Sequence, residues 1–261
     1  MTAAHQRRWI VVALSVLLPA GTASAEPSEG SETSPERATL SAAAGMLLPY
    51  TIAARVDSQT AFARAMGGYD SARRSAQLEG TAEIRIIGPL AARLGVMSND
   101  SSNKLRPTAG LRVQALSQAQ QAIDMSVGAF YKPEGFTQAE GEVEFVLAFG
   151  RRFGRLGLFG NLVYGQDPEG AERDGEARLA ALYAWSAALQ VGIDTRLRID
   201  LGSQAGKRRT AGEAAFDFVA GPTASYALGT VAVLAQAGLS GVDAGTPRWG
   251  AVALLGLAGS I

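Results

Sequence analysis

The chain has 261 residues, with 24 basic and 24 acidic side chains, one histidine (His5) and no cysteine. Arg7 and Arg8 belong to an N-terminal leader, and without them 22 basic residues face 24 acidic ones, so no basic stripe points to nucleic acid as a partner. With neither His nor Cys after residue 5, a disulfide framework, a Cys/His metal cage and the Ser-His-Asp and Cys-His nucleophile systems are excluded, and no cofactor is implied.

Residues 1–25 read as a secretory signal peptide. Arg7 and Arg8 provide the positive start, IVVALSVLL the short apolar run, and Ala23-Ser24-Ala25 the cleavage pattern before Glu26. The polar stretch 26–39 (EPSEGSETSPERAT) is a linker. Residues 40–56 fit a short helix stopped by Pro49 or a strand. With the linker they form an N-terminal segment, 26–58, expected to be periplasmic or lumenal.

From residue 59 to the end, strand-like blocks succeed one another. They lie near 59–69, 78–87, 90–98, 106–116, 121–132, 138–149, 155–165, 176–186, 188–201, 213–221, 227–239 and 248–260, twelve in all. The clearest pattern is 189–202, LQVGIDTRLRIDLG. Its odd positions are apolar or nearly so, and its even positions are polar, charged or glycine. A helix would smear Arg196, Arg198 and Asp200 around its circumference, whereas a strand puts them on one face. Soluble strands average about 5–6 residues, and a strand of roughly 9–11 tilted residues crosses an outer-membrane bilayer.

The connections alternate. Short ones fall at 88–89, 117–120, 150–154, 186–187 and 222–226; longer polar ones fall at 70–77, 98–104, 132–137, 166–175, 203–212 and 240–247. Tyr69, Tyr131, Tyr164 and Trp249 lie at the long-loop ends of their strands, and Phe149, Phe153, Tyr183, Trp185 and Tyr226 at or near the short-turn ends. Two interfacial aromatic girdles would be placed this way.

Two other architectures share part of this pattern. A soluble β-sandwich or lipocalin-like barrel also has period two, but here the polar face carries many glycines (Gly95, Gly110, Gly128, Gly157, Gly165, Gly192, Gly238), which weaken a solvent-facing strand. In a narrow lumen they would leave room for long charged side chains. A helical inner-membrane protein finds one uncharged stretch, 223–241, and its apolar residues alternate.

On these patterns residues 59–261 resemble the outer-membrane β-barrel proteins of double-membraned bacteria. The closing WGAVALLGLAGSI keeps the alternation at Leu255, Leu257 and Ile261, although Ile261 stands where the family commonly has an aromatic residue. The resemblance implies an all-β, antiparallel, up-and-down transmembrane barrel of about 12 strands in outer-membrane lipid.

The expected lumen face carries Glu83, Arg85, Arg93, Arg112, Asp124, Glu140, Glu142, Glu144, Glu176, Arg178, Asp194, Arg196, Arg198, Asp200, Glu213 and Asp217. These charges either pair across strands, as Arg196 and Arg198 could with Glu213 and Asp217, or line a water-filled path for small solutes or ions. The row Glu140, Glu142 and Glu144 would bias such a path toward cations. The leading expectation is a small passive porin-like channel. The alternatives are a structural or adhesion barrel with a plugged lumen acting through its loops, and a histidine-independent enzyme. The acidic 166–176 (QDPEGAERDGE) lacks calcium-ligand spacing and reads as a solvated loop.

Overall fold

The computed structural model describes residues 48–56, 61–98, 105–136, 140–168, 173–202, 215–243 and 245–260. Among them are twelve strands: β1 (Ala61–Asp70), β2 (Ser75–Ile87), β3 (Leu90–Ser98), β4 (Arg106–Leu116), β5 (Asp124–Pro133), β6 (Gly141–Phe153), β7 (Leu156–Gln166), β8 (Arg173–Ala184), β9 (Leu189–Asp200), β10 (Phe216–Leu228), β11 (Val231–Asp243) and β12 (Pro247–Ser260). Each pairs antiparallel with its sequence neighbours. β1 also pairs with β12, from Phe62 opposite Ser260 to Asp70 opposite Val252, so the sheet closes on itself without an edge. Strands of 9 to 14 residues, tilted as barrel closure requires, are long enough for an apolar band about 25 Å tall.

The alternation sorts side chains between two solvents. In β9, Gln190, Asp194 and Arg196 are buried inside the barrel while Ile193, Leu197 and Ile199 face out. Ile193, Leu239 and Leu255 are 55, 66 and 63 % exposed, a surface that fits hydrocarbon and not water. Rings cover glycines on this outer face. Phe149 lies directly opposite Gly160, and Trp249 opposite Gly241. A Cβ at either glycine would sit 2.5 or 2.6 Å from the ring, so the aromatic takes the place of the missing side chain.

The main departure from the sequence expectation is the β10–β11 hairpin. The turn expected at 222–226 lies inside β10, and the chain reverses at 229–230, where Gly229 has a φ of +67°. Pro222 suggested a turn, yet it sits in mid-strand with its ring facing out. It is opposite Ile193 of β9, and its side toward β11, where a donor would be missed, lies next to the Gly221 and Gly238 contact. A Cβ at Gly221 would lie 2.1 Å from the Ala237 oxygen, so the two backbones approach too closely there for any side chain.

The loop alternation is also less regular than expected. The long loop expected at 70–77 is a tight turn at 71–74. Asp70 accepts hydrogen bonds from the N–H of Ala72 and Arg73 at 2.9 and 3.2 Å, and Arg74 takes a φ of +58°. At the opposite rim the connection spans 117–123 and not 117–120, because β5 begins only at Asp124. The last connection shortens to 244–246.

One substitution tests the outward face. Ile193→Arg at mid-depth should cost about 2–4 kcal/mol, read as a lower urea midpoint for the loss of heat-modifiable gel mobility. Ile193→Leu should leave that midpoint unchanged.

Candidate functional site

The lumen is not empty. Residues 48–56 cross it before the chain enters β1, and Leu48, Pro49, Thr51 and Ala54 are almost fully buried. A strand-free segment in this position carries unpaired backbone groups, and the barrel wall satisfies them with side chains. Asp194 of β9 accepts from Tyr50 N at 2.7 Å, Thr51 N at 3.3 Å and Thr51 Oγ1 at 2.7 Å. Asn161 of β7 accepts from Ile52 N at 2.6 Å and donates through Nδ2 to Ile52 O at 2.8 Å. Gln114 of β4 accepts from Val56 N at 3.0 Å. Carbonyls are met by arginines: Arg64 donates to Leu48 O, Arg112 to Ala53 O and Arg55 O, and Arg178 to Tyr50 O.

The wall makes room where the segment docks. The lateral neighbours of Asp194 are Ala180 on β8 and Gly221 on β10, and Asn161 has Ala148 beside it on β6. Apolar anchors complete the contact. Tyr50 packs with Phe62, Met66, Val219 and Leu234, Leu48 with Leu182 and Phe159, and Ile52 with Phe130, Val146 and Val163. Arg196 Cζ stands 4.9 Å above the Tyr50 ring, a cation–π contact in a water-poor site. Burial pushes the Tyr50 phenol up to about 12, against the pull of Arg196, so the ring stays neutral. Its hydroxyl has no hydrogen-bond partner among the described residues.

The segment separates two cavities. One, of about 100 Å³, is bounded by Pro49, Tyr50 and Ile52 and reaches Met97 and Ser98 at the rim that carries the longer loops. The other, larger one, of about 310 Å³, lies between Ala53, Ala54 and Arg55 and the opposite rim at Gln118 and Arg152.

The sequence-derived lumen residues fall into distinct positions. Arg112 makes a two-pronged pair with Glu83 at 2.6 and 2.8 Å, reaching past β3, and both partners are buried. Arg196 pairs with Asp217 at 2.7 Å, and Asp217 also meets Arg73 from the 71–74 turn. Arg198 pairs sideways with Asp174 of β8, not with β10, and Glu213 lies outside the described residues. Arg178 pairs with Glu176. Asp200 sits at the end of β9 and accepts from Gly202 N at 2.6 Å. Asp124 at the opposite rim accepts from Gln118 N at 2.8 Å. Arg85 is exposed near its turn, where its Nε donates to Gly88 O.

The glutamate row is split. Glu140 lies ahead of β6 and is exposed, Glu142 is half-buried, and Glu144 is buried in a pair with Lys132. Tyr69, Tyr131, Tyr164 and Trp249 lie near one rim and Tyr183, Trp185 and Tyr226 near the other, all well exposed. Phe149 lies four residues before the end of β6 and is half-buried over Gly160.

Sequence reasoning missed Asn161, Gln114 and Arg64 as docking residues. Gln114 left a trace beside Arg112 on the polar face of the 106–116 block, and Asn161 as a lone amide on the inner face of LGLFGNLVYG. It also missed the inward rings: a Cβ at Gly110 or Gly128 would strike Phe130, and one at Gly157 would strike Phe159. Those glycines make room for aromatic rings as well as for charged side chains.

No protein-family model matches the chain, and no curated protein matches its sequence. Solved structures do match in fold. The NanC porin superposes with a TM-score of 0.56 at 10% identity, covering 76% of this chain and 100% of that one. An outer-membrane channel from Pseudomonas putida F1 gives 0.52 at 11% identity, covering 82% and 98%. The chain therefore has the fold of a porin-like outer-membrane β-barrel.

Because the chain has no cysteine, Ala54→Cys reports docking of the lumen segment directly. A thiol reagent should label it slowly in the otherwise unchanged protein. Adding Tyr50→Phe should change little, since the lost hydroxyl is unpartnered. Adding Tyr50→Ala removes a packed ring worth about 3 kcal/mol and should speed labelling roughly a hundredfold.

Proposed function

We propose that the chain is an outer-membrane channel of the porin type, closed in this state by residues 48–56. The single observation behind this reading is the division of a polar, charge-lined lumen into two cavities by one short segment held to the wall without a covalent cross-link. The fold shared with a porin and with an outer-membrane channel supports it. The leader, cleaved near Ala25, would direct the chain to the outer membrane, where lipid contacts the apolar face. An enzymatic role has no support in the absence of His and Cys after residue 5.

In this reading Asp194 and Asn161 are the latch and the charged wall is the path. The paired residues Arg112, Arg178, Arg196, Arg198 and Asp217 shape the path and fix its width. Of the three glutamates, Glu142 is half-buried on β6, and its Oε1 has no hydrogen-bond partner among the described residues. Glu144 is neutralised by Lys132, and Glu140 stands outside the strand.

The dense bonding of the segment also favours a second reading, a plugged structural or adhesion barrel acting through its longer loops. Planar-bilayer recording separates the two. The full chain should open rarely. Asp194→Ala with Asn161→Ala removes both anchors of Tyr50, Thr51 and Ile52 and should raise the open fraction at least tenfold, since charge-assisted hydrogen bonds contribute about 1.5–3 kcal/mol each. Silent bilayers from inserted, folded protein of both kinds would sink the channel reading and leave the structural one.

A further inference from the structure

The turn between β1 and β2 folds inward over the mouth of the barrel. Gly250, in the inward-facing row of β12 with Val252 and Leu254, leaves the space for it. A Cβ at Gly250 would lie 2.4 Å from both Ala72 N and Ser71 Oγ. Ser71 fastens the turn to β12: its N–H donates to Ala251 O at 2.9 Å, and its Oγ accepts from Ala251 N at 2.7 Å. Asp70, fully buried at the base of the turn, accepts from Ser240 Oγ of β11 at 2.7 Å. Ala72 is buried as a result.

This placement sends Arg73 sideways past β12 and β11, to pair with Asp217 on β10. The same oxygen, Asp217 Oδ2, is held by Arg196 Nη2 of β9 at 2.7 Å. Arg196 Cζ in turn stands 4.9 Å from the centre of the Tyr50 ring, the anchor of the closing segment. The side chains of Arg73, Asp217 and Arg196 are nearly buried, so salt and water screen this run of contacts little. One carboxylate oxygen thus joins a guanidinium from the rim to a guanidinium over the ring. Asp217 is fixed from two sides, and Arg196 is fixed through it. Without Arg73, Asp217 and Arg196 gain room to move together, and the ring loses its cation–π partner.

We propose that Arg73 is a positioning residue for the closing segment and that the 71–74 turn is a strap. Seated on Gly250, the strap holds Asp217 and Arg196 against Tyr50; lifted, it lets the segment go. Turn and segment then share one coupling free energy, so loosening either loosens the other to the same degree. The strap lies at the rim that carries the longer loops, so closure is set from that rim as well as from Asp194, Asn161 and Gln114 within. The coupling stands on these contacts alone; only its consequence for conduction rests on the channel reading above.

Thiol labelling of Ala54→Cys in the full refolded chain reads the segment. Arg73→Gln leaves Asp217 its pair with Arg196, so no charge is stranded, and it should speed labelling about tenfold. Arg73→Lys should restore most of the slow rate. Arg74→Gln, at the exposed neighbour in the same turn, should change nothing. With Tyr50→Ala already present, Arg73→Gln should add no further acceleration. Reciprocally, Tyr50→Ala should speed the labelling of Ala72→Cys in the turn several-fold. Heat-modifiable mobility confirms that each variant is folded. An unchanged rate in folded Arg73→Gln overturns the strap, as does an equal acceleration when the Tyr50 ring is absent. Labelling of Ala72→Cys that ignores Tyr50→Ala overturns it too, whether or not the arginine variants fold. Coupled labelling in a protein that never conducts refutes the channel reading alone.

Discussion

In hydrocarbon no water is available to hydrogen-bond the backbone, so each N–H and C=O in the membrane needs a partner from the chain itself. The pairing of β1 with β12 is what meets that demand, because it removes the only two edges the sheet would have. Everything else follows from closure. A closed sheet has an outside that meets lipid and an inside that does not, and period two assigns alternate residues to each. A slip of one residue in β9 would move Asp194, Arg196 and Arg198 into lipid, so register is held by the cost of misplaced charge.

Closure of twelve strands leaves an interior narrow enough for side chains from opposite walls to share one space. Phe130, Phe159 and Met66 point inward alongside Arg112, Glu83 and Asp194. The segment 48–56 fills what remains. Its apolar side chains join the inward rings, and its backbone is served by amides, carboxylates and guanidinium groups from β1, β4, β7, β8 and β9. The interior is thus a mixed core. Charges there are mostly paired, which limits the desolvation penalty of enclosing them. Exceptions remain: Glu142 Oε1, Arg196 Nε and Asp217 Oδ1 have no hydrogen-bond partner among the described residues.

Much of this was legible in the chain. Strict alternation over 189–202 located a strand whose inner and outer faces could be named in advance, and twelve blocks were read at twelve strands. Boundaries failed where one residue type served two purposes. Pro222 looked like a turn because proline removes a donor, but a barrel strand tolerates it where the neighbouring backbone at Gly221 and Gly238 comes close. The candidate site was far less legible. Arg196 with Asp217 could be guessed from adjacent strands, but Arg112 with Glu83 skips a strand, and Arg198 turns diagonally to Asp174 on β8 and not toward β10.

The sequence by itself determined a succession of long strands with one apolar and one polar face, because periodicity is a local property written along one strand at a time, and its resemblance to outer-membrane barrels pointed to closure. Only the tertiary structure decided that LPYTIAARV lies inside it. That stretch has no period of its own, and its place depends on Asp194, Asn161 and Gln114, which stand 58 to 144 residues away and meet it only once the sheet has closed.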